Sequence, residues 1–434
     1  MSGGLPAELR VYRLLSAVSA ALAPLLLARR VRRGKEDRER LPERKGFARL
    51  ARPQGPLIWL NAASVGELAS ALPLIERLRA RGVEMLVTTG TVTSGELAEQ
   101  RLPRGVIHQF VPLDVPRFVR RFLDHWRPDL ALFVEQDLWP NMIVEASARG
   151  VPLILINGRL SESSFRRWTR LRAMIVDLLE RFDLCLASTV ADAERFTALG
   201  APRLQTVGNL KLDGPAPPAD DRKLLELKDA IAMRPLIAAA STHPGEESAV
   251  IEAHRRLRGN FPGLLTLIVP RHPERGPGVV ELAAAAGLKA ALRSRGERPD
   301  AATEIYVADT VGELGVVYRL TPVVFIGGSL VNHGGQNPIE AAKLGAAILH
   351  GPHVFNFAEI YEALDAAHGA ELVADADRLT AAFAAWLTDA AGRQRAADAA
   401  RNTVETLGGA LERTLQALEP YLLQLQLRGR NGHA

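Results

Sequence analysis

From Leu57 to about residue 210, short apolar runs alternate with longer stretches in which apolar residues recur every three or four positions. The apolar runs have the length of buried strands, and they lie at Leu57–Leu60, Met85–Val87, Leu130–Val134, Leu153–Ile156, Leu184–Ala187 and Thr206–Val207. The periodic stretches predict helices at Leu68–Ala80, Val115–His125, Met142–Ala148 and Trp168–Phe182. Buried strands that alternate with helices indicate a parallel sheet covered on both faces. The pattern therefore predicts one doubly wound α/β domain.

A second series of the same kind follows Leu212–Pro235, a charged, proline-rich stretch that is predicted to be a linker. Its strands are predicted at Leu236–Ala240, Leu265–Val269, Glu304–Val307, Val323–Ile326 and Ala347–Leu349, and Leu379–Leu427 is predicted to be largely helical. The chain thus divides into an apolar and basic N-terminal segment, a Rossmann-like domain, a linker, a second Rossmann-like domain and a helical tail, at residues 1–53, 54–211, 212–235, 236–405 and 406–434. Two such domains facing a central cleft are typical of nucleotide-sugar enzymes, but also of other proteins that close on a ligand, so the fold alone decides no function.

The N-terminal segment contains fifteen uncharged, mostly apolar residues, Leu14–Ala28, with basic residues on both sides. A spanning helix needs about 20 residues, and Pro24 would kink this one. The basic run that follows opposes export as a signal peptide. We therefore predict a membrane-embedded or interfacial anchor helix, with the basic flank on anionic headgroups. The alternative is a helix docked on the protein body, with a solvated charge run behind it.

Composition narrows the classes of function. With 434 residues the chain is too long for one ordinary core. Its single cysteine, Cys185, excludes a disulfide framework. Residues 1–53 carry thirteen Lys or Arg against five Asp or Glu, a net +8, so with the whole chain at +5 the remainder carries −3. This distribution and the 5% aromatic content argue against a nucleic-acid partner. The sequence has no G-x-G-x-x-G motif, no P-loop motif and no convincing metal-ligand spacing, so no metal ion is predicted.

The stretch Ile326–Glu340 is the most distinctive in the chain. The strand Val323–Ile326 runs into two pairs of glycines, and then into Asn337 and Pro338 before a predicted helix at Ile339–Leu344. Asn is a favoured N-cap and Pro suits the first helical position. Free N–H groups at such a helix start form a phosphate site. The alternative is a tight strand–helix turn whose glycines serve packing alone.

Polar side chains follow nearly every predicted strand, which is where open α/β sheets bind ligands. The first domain supplies Glu67, Glu135 and Asp137, and the second supplies Arg271, His272 and Arg275. A carboxylate can take the proton of a hydroxyl nucleophile, and cationic groups can receive a departing phosphate. A structural alternative applies to Ser64/Glu67 and Thr310/Glu313, because both pairs match the capping box Ser/Thr-x-x-Glu.

At these residues the sequence resembles the family of bacterial 3-deoxy-D-manno-octulosonic acid (Kdo) transferases, which are GT-B glycosyltransferases. The resemblance covers roughly residues 40–375. The matching stretches occur in the family's order and are SVGE at 64–67, LWPN at 138–141, NGRLSESS at 157–164, GNLK at 208–211, STHPGEE at 241–247, PRHPER at 270–275, DTVGEL at 309–314, GGSLVNHGGQNPIE at 327–340 and GPHVFNF at 351–357.

The resemblance implies inverting transfer of Kdo from CMP-Kdo to lipid IVA in lipopolysaccharide assembly, at the cytoplasmic face of the inner membrane. It implies that the first domain binds the acceptor and the second binds the donor, with no cofactor and no metal ion. By motif position, Glu67 is the general base, and Glu135 and Lys211 stabilise the transition state. The residues implied to bind CMP are Pro270, Arg271, His272, Gly312, Glu313, Leu314, Asn337, Pro338, Ile339 and Glu340.

The chain departs from the family's pattern at three places. Gln336 and Asn61 stand where histidine is usual, and Gln136-Asp137 replaces the usual pair after Glu135. Two other functions stay open from the sequence: a GT-B enzyme that uses a UDP-sugar, and a catalytically silent membrane-bound scaffold that binds nucleotide.

Overall fold

The computed structural model describes residues 4–431, with side chains from residue 4 to residue 427. These residues form two compact units. The N-terminal unit extends to Gly214 and takes up the chain again from Gly408, whereas the C-terminal unit comprises Pro215–Leu407. The described parts of both chain ends thus belong to the same unit.

Two helices, α1 (Ala7–Ser19) and α2 (Ala23–Arg32), stand where a single helix was predicted at Leu14–Ala28. They are bent by 68° relative to each other. Pro24 lies in the first turn of α2, where its missing N–H costs no helical hydrogen bond. Within the described chain no single helix is long and apolar enough to cross a bilayer, whereas the bent pair together reaches that length and composition.

The two N-terminal helices bury one face and expose the other. Leu9, Ala20, Ala23 and Leu27 are buried against the N-terminal unit, and the Tyr12 hydroxyl donates to Asp114 Oδ2 at 2.9 Å. The outward face carries large apolar side chains that are 49–72% exposed, namely Val11, Leu14, Leu15, Val18, Leu22, Leu25 and Leu26. The inner face fits the alternative of a helix docked on the protein body. The outer face is an exposed apolar surface, and the membrane anchor stays a prediction.

The N-terminal unit is built on a parallel seven-stranded sheet, and every residue of its interior strands except Glu84 is buried. Its strands are β1 (Leu57–Asn61), β2 (Glu84–Thr89), β3 (Ile107–Phe110), β4 (Leu130–Val134), β5 (Leu153–Gly158), β6 (Leu184–Ala187) and β7 (Leu204–Thr206). Its helices up to β7 are α3 (Val65–Ala80), α4 (Val92–Arg101), α5 (Pro116–Trp126), α6 (Pro140–Ser147), α7 (Glu162–Arg170), α8 (Arg172–Leu179) and α9 (Val190–Ala198). The single helix predicted at Trp168–Phe182 is wrong, because Leu171 leaves helical geometry and separates α7 from α8.

The C-terminal unit repeats this architecture with a second parallel sheet of seven strands. Its strands are β8 (Leu236–Thr242), β9 (Leu265–Pro270), β10 (Ala290–Leu292), β11 (Ile305–Val307), β12 (Val323–Ile326), β13 (Ala347–His350) and β14 (Ala370–Leu372). Its helices are α10 (Asp221–Ile231), α11 (Glu246–Leu257), α12 (Gly276–Ala285), α13 (Leu314–Leu320), α14 (Ile339–Lys343), α15 (Ala358–Ala366), α16 (Ala376–Thr388) and α17 (Ala390–Thr406). The two sheets confirm the predicted α/β class with two doubly wound domains.

The linker and tail differ from the sequence prediction. Part of the predicted linker, Asp221–Ile231, forms α10, which is capped by Asp220 and buries Leu227 and Ile231 within the C-terminal unit. The final helix, α18 (Ala410–Asn431), belongs to the N-terminal unit. It contacts α3 and buries an apolar stripe in the core cluster that the sheet and α3 share, consisting of Leu415, Leu418, Leu422 and Leu425. Residues 432–434 of the predicted tail lie outside the described residues.

The strand order creates one crossing point in each sheet. In the N-terminal unit the order is β3-β2-β1-β4-β5-β6-β7, and in the C-terminal unit it is β10-β11-β9-β8-β12-β13-β14. The connections therefore diverge between β1 and β4, and between β8 and β12. In open α/β sheets the carboxyl end of such a switch point is where ligands bind. The segments after β1 and β4 therefore form the candidate site of the N-terminal unit, and the segments after β8 and β12 form that of the C-terminal unit.

Candidate active site

Glu67 lies in the first turn of α3, after β1, and it forms the predicted capping box. Ser64 Oγ accepts from the Glu67 N–H, and the Ser64 N–H donates to Glu67 Oε2, both at 3.2 Å. The structural alternative for this carboxylate is therefore real. The pKa of Glu67 is nevertheless raised, by burial and then by the charge of Glu135, although the capping contacts act in the opposite direction. A carboxylate in such surroundings has the proton affinity that a base requires.

Glu135 follows β4 and pairs with Lys211. Lys211 Nζ lies 2.7 Å from Glu135 Oε1, with both side chains less than one-fifth exposed. Asn157, at the end of β5, donates to Glu135 Oε1 at 3.4 Å and accepts from the Leu210 N–H at 3.0 Å. Glu135 and Asn157 both adopt positive φ, 59° and 50°. Such backbone strain persists only where the surrounding structure imposes it. Here the strained residues are the ones that contact Lys211 and the segment before it.

Asp137 is a third carboxylate at this crossing, and the sequence-based assignment left it without a role. It is buried and accepts from Asn61 Nδ2 at 2.9 Å and from the Ala63 N–H at 3.1 Å. Burial, and then the charge of Glu67, raise the pKa of Asp137 to about 8. Its position after a strand end was the available signal, but its contact with Glu67 depends on the β1–β4 pairing. Asn61, which departs from the family's pattern, is thus a partner of Asp137.

In the C-terminal unit the glycine-rich stretch is held by Glu246, a buried residue at the start of α11. Its carboxylate accepts from the N–H groups of His243, Gly328, Ser329 and Leu330 at 2.7–3.0 Å. The predicted set of free N–H groups is therefore wrong for residues 328–330, because a carboxylate of the protein already occupies them. Helix α14 begins at Ile339 as predicted but ends at Lys343, one residue early. Its N-cap is Pro338 and not Asn337, whose side chain accepts from the Ile339 N–H.

Three histidines lie near the β8–β12 crossing. The ring of His243 is 3.9 Å from that of His333 and 6.1 Å from that of His272. Burial and the neighbouring histidines lower the pKa of His243 to about 4, so its imidazole is neutral at pH 7. Gln336 Nε2 lies 3.0 Å from His243 Nε2. The glutamine that replaces the family's usual histidine therefore takes part in this cluster.

Four of the side chains predicted to contact CMP are charged or titratable, and they differ in exposure and in the partners they already have. They are Arg271, His272, Glu313 and Glu340. Arg271 and His272 are exposed after β9, which ends at Pro270. Glu340 is half-buried near Asn337 Nδ2, at 3.4 Å, and burial raises its pKa. Glu313 is buried and already has partners.

Glu313 bonds to Arg293, Thr310 and Lys223, the last at 2.6 Å. Burial alone would raise its pKa, but the bonds from Arg293 and Lys223 outweigh burial and lower it to about 2. The predicted capping box of Thr310 and Glu313 is wrong, because Glu313 itself is the N-cap of α13 and the Thr310 hydroxyl donates to its carboxylate. Gly312 has a φ of +84°, which glycine adopts without strain. No group of three or more His, Cys, Asp or Glu side chains that could hold a metal ion occurs among residues 4–427.

The fold of this chain is shared by solved structures. A glycosyltransferase from Rickettsia africae superposes with a TM-score of 0.59 over 85% of this chain and 99% of that chain, at 11% identity. At that identity the likeness concerns the fold, and the class it defines, together with the two parallel sheets, is the GT-B type.

Sequence comparison identifies the family within that class. The profile of the 3-deoxy-D-manno-octulosonic-acid transferases matches residues 39–214. The 3-deoxy-D-manno-octulosonic acid transferase of Haemophilus influenzae is 36% identical over 394 residues, covering 89% of this chain and 92% of that protein. The transferase of Bordetella pertussis is 36% identical over 425 residues, covering 95% and 99%. The chain belongs to the Kdo transferase family, as its motifs indicated, and it is an enzyme that transfers Kdo.

Proposed function

We propose that this enzyme takes Kdo from CMP-Kdo and transfers it to a hydroxyl of lipid IVA, with inversion, in lipopolysaccharide biosynthesis at the cytoplasmic face of the inner membrane. The acceptor oxygen forms a bond to the anomeric carbon as the bond from that carbon to the CMP phosphate breaks. The hydroxyl proton goes to a base, and the electron pair of the broken bond leaves with CMP.

The observation that carries the proposal is the meeting of Glu67, Glu135 and Lys211 at the β1–β4 crossing. Glu67 is the general base, since its raised pKa suits proton acceptance. Lys211 is held by Glu135 at 2.7 Å, and the pair stabilises the transition state: the ammonium attracts the carboxylate of Kdo, and Glu135 stabilises the positive charge on the sugar ring.

The donor is assigned to the strand ends of the C-terminal unit. Because Glu246 occupies the N–H groups at 328–330, the phosphate is assigned to the exposed side chains of Arg271 and His272. The ribose is assigned to Glu340. Glu313 is assigned no direct contact with the donor; it shapes the turn at Gly312 and Leu314, which border the nucleotide. Pro270, Asn337, Pro338 and Ile339 line the remaining part of the nucleotide site.

Membrane association is supported by the surface of the N-terminal unit. The outer face of α1 and α2 exposes seven large apolar side chains, and α2 ends in three arginines. Helix α7 packs Phe165 and Trp168 on the same apolar cluster as Tyr12 of α1 and exposes Arg166, Arg167 and Arg170. An apolar face flanked by arginines suits an interfacial position on anionic lipid, where the lipid acceptor also resides.

The test is a turnover assay with purified full-length protein, freshly generated CMP-Kdo and lipid IVA in detergent, with product masses read directly. We expect a mass increase of one or more Kdo residues and release of CMP. A parallel thermal-shift assay should show stabilisation by CMP and none by UDP. Absence of product with intact CMP-Kdo and folded protein, or protection by UDP instead of CMP, would refute the assigned donor or acceptor.

A further inference from the structure

A chain of buried hydrogen bonds runs through the sheet to the carboxylates. Trp59 Nε1 donates to Thr88 Oγ1 at 2.8 Å, the Thr88 hydroxyl donates to Asn61 Oδ1 at 2.7 Å, and Asn61 Nδ2 donates to Asp137 Oδ2 at 2.9 Å. An indole N–H can only donate, so the Thr88 hydroxyl accepts from Trp59 and must donate its own hydrogen bond to Asn61. The direction of every bond is thereby fixed, and the Asn61 amide must present its N–H to Asp137.

All members of this chain are rigidly placed. Trp59, Asn61 and Thr88 lie on the adjacent strands β1 and β2 and are 0% exposed, and Asp137 is 8% exposed. Asp137 Oδ2 also accepts from the Ala63 N–H at 3.1 Å. Its other oxygen, Oδ1, receives a single longer contact from Trp139 Nε1 at 3.3 Å. With two donors on Oδ2, a proton on Asp137 belongs on Oδ1.

Glu67 is the carboxylate next to Asp137, because the two accept from consecutive N–H groups: Asp137 Oδ2 from Ala63 at 3.1 Å and Glu67 Oε2 from Ser64 at 3.2 Å. The charged groups around the pair are Glu135, after β4, and Lys211, which already pairs with Glu135. Two close carboxyl groups cannot both ionise without a large electrostatic cost, so such a pair retains one proton. Burial and the charge of Glu67 place the pKa of Asp137 at about 8, which favours Asp137 as the proton holder at neutral pH.

We propose that Asp137 is the positioning residue of the base: fixed by the Trp59–Thr88–Asn61 chain, it keeps one proton and donates it in a hydrogen bond to the ionised carboxylate of Glu67. This inference rests on the proposed role of Glu67. During transfer, the acceptor hydroxyl proton moves to Glu67 while Asp137 retains its own. Glu67 then releases that proton to water, and the pair returns to its single-proton state.

The first test compares two variants of Asp137 by kinetics. Asp137→Asn keeps a donor toward Glu67 and an acceptor toward Asn61, so kcat at pH 7 should stay within about tenfold of the wild type, whereas Asp137→Leu should lose roughly 10²-fold, the scale of an impaired base. The KM for CMP-Kdo should be unchanged in both. Wild-type kcat should fall above about pH 8, as Asp137 ionises, and Asp137→Asn should abolish that alkaline decline. Thr88→Val, which interrupts the chain, should lower kcat to an intermediate degree.

Three outcomes would overturn the inference. If Asp137→Asn loses as much activity as Asp137→Leu, the residue acts as a charge and not as a donor. Equal kcat in Asp137→Leu and the wild type would remove any role. Normal turnover by Glu67→Gln would show that Glu67 is not the base. The proposed role of Glu67 and this inference would then both be wrong, but the transfer of Kdo by the enzyme would be unaffected.

A second measurement needs no turnover. Since the folded pKa of Asp137 is raised above its unfolded value, the folded state binds an extra proton at this residue, and the contribution of Asp137 to stability must fall as pH rises from about 4 to about 8. Urea unfolding should show the wild type losing stability relative to Asp137→Asn across this range. A constant difference between the two proteins would show that Asp137 is not the proton holder, even if the transfer assay fails for another reason.

Discussion

At the scale of single residues, Glu67 carries two tasks on one carboxylate. It accepts the Ser64 N–H as part of a capping box, and in the proposed pair it also accepts the hydrogen bond of the protonated Asp137. The cap fixes the rotamer of the side chain, while the neighbouring carboxyl groups and burial adjust its proton affinity. A helix cap and a base are therefore compatible roles here.

Substitution of Glu67 separates the two roles. Glu67→Gln preserves the capping contact, since an amide oxygen also accepts from the Ser64 N–H, but it removes the base. We expect kcat to fall by at least ~10²-fold with the KM for CMP-Kdo unchanged. The control is Ser64→Ala, which removes the hydroxyl that accepts from the Glu67 N–H but keeps the Ser64 N–H that holds the Glu67 carboxylate. It should cost about 1 kcal/mol of stability and should affect kcat far less. Near-normal turnover by Glu67→Gln would reduce this residue to a helix cap.

Glu313 is a residue whose contribution should depend on pH. Its folded pKa, about 2, lies below its ordinary value because Arg293 and Lys223 favour the ionised form. The stabilisation is therefore fully present above about pH 4.5 and is lost as pH falls toward 2. Glu313→Gln should reduce the free energy of unfolding equally at pH 7 and pH 5.5, and in urea titrations the deficit should shrink from about pH 4.5 to pH 3.5.

Glu252 provides the matched control for that experiment. It also has two cationic partners and a lowered pKa, through the hydrogen bonds of Arg255 and Arg256, but water screens these contacts on the surface. Glu252→Gln should change stability little at any of these pH values. A deficit for Glu313→Gln that does not change with pH would contradict the ion-pair explanation.

At the scale of elements, α1 and α2 show why simple deletion is a poor test of membrane binding. Leu9 is fully buried in the core of the N-terminal unit, and Arg13 forms a 2.6 Å ion pair with the buried Glu145. Removing residues 1–33 would therefore disturb the fold as well as the apolar surface. Substitutions confined to the exposed face separate the two effects.

We expect the triple variant Leu14→Glu, Leu15→Glu, Val18→Glu to lose most of its binding to vesicles of phosphatidylethanolamine and phosphatidylglycerol, measured by flotation. Inserting this face would bury three charges in the lipid, which opposes binding. The substitutions leave the inner face of α1 unchanged. A charge-matched control replaces three exposed apolar residues elsewhere, Val190, Leu225 and Met233, and should bind normally. If both triple variants float equally well, α1 is not the membrane-binding element.

At the scale of the whole molecule, the chain returns from the C-terminal unit to complete the N-terminal one. Asp213 accepts from the N–H groups of Gly409 and Leu411, which fixes the entry of α18 beside the end of the first domain. Leu418 is completely buried there, whereas Leu423 on the same helix is 50% exposed. The stability of the N-terminal unit therefore depends on residues near the end of the chain.

Leu418→Ala should cost about 2–5 kcal/mol of unfolding free energy, the usual range for a buried leucine. Leu423→Ala should cost much less, because its side chain is largely hydrated before the substitution. Chemical unfolding followed by fluorescence would compare the two variants directly. Equal effects of the two substitutions would contradict the packing of α18 on the N-terminal unit.

The sequence by itself determined the class of fold, the main strands and the family. These features follow from local periodicity and from short motifs, and the apolar strands at Leu130–Val134, Leu184–Ala187 and Val323–Ile326 have the predicted bounds. Short strands such as β3 and β10 escaped prediction, since their few residues carry no clear periodicity. Helix α10 was hidden by the prolines and charges at its start.

Only the tertiary structure decided which polar groups meet. Asn61 and Asp137 are 76 positions apart and bond because β1 pairs with β4. Glu246 occupies N–H groups more than 80 positions away because β8 pairs with β12, and α18 joins the first domain after the whole second one. Local sequence decides which backbone conformations and buried faces are favourable. Hydrogen bonds and shared protons need distances of about 3 Å, and residues far apart in sequence reach that distance only when the strands pair in this order.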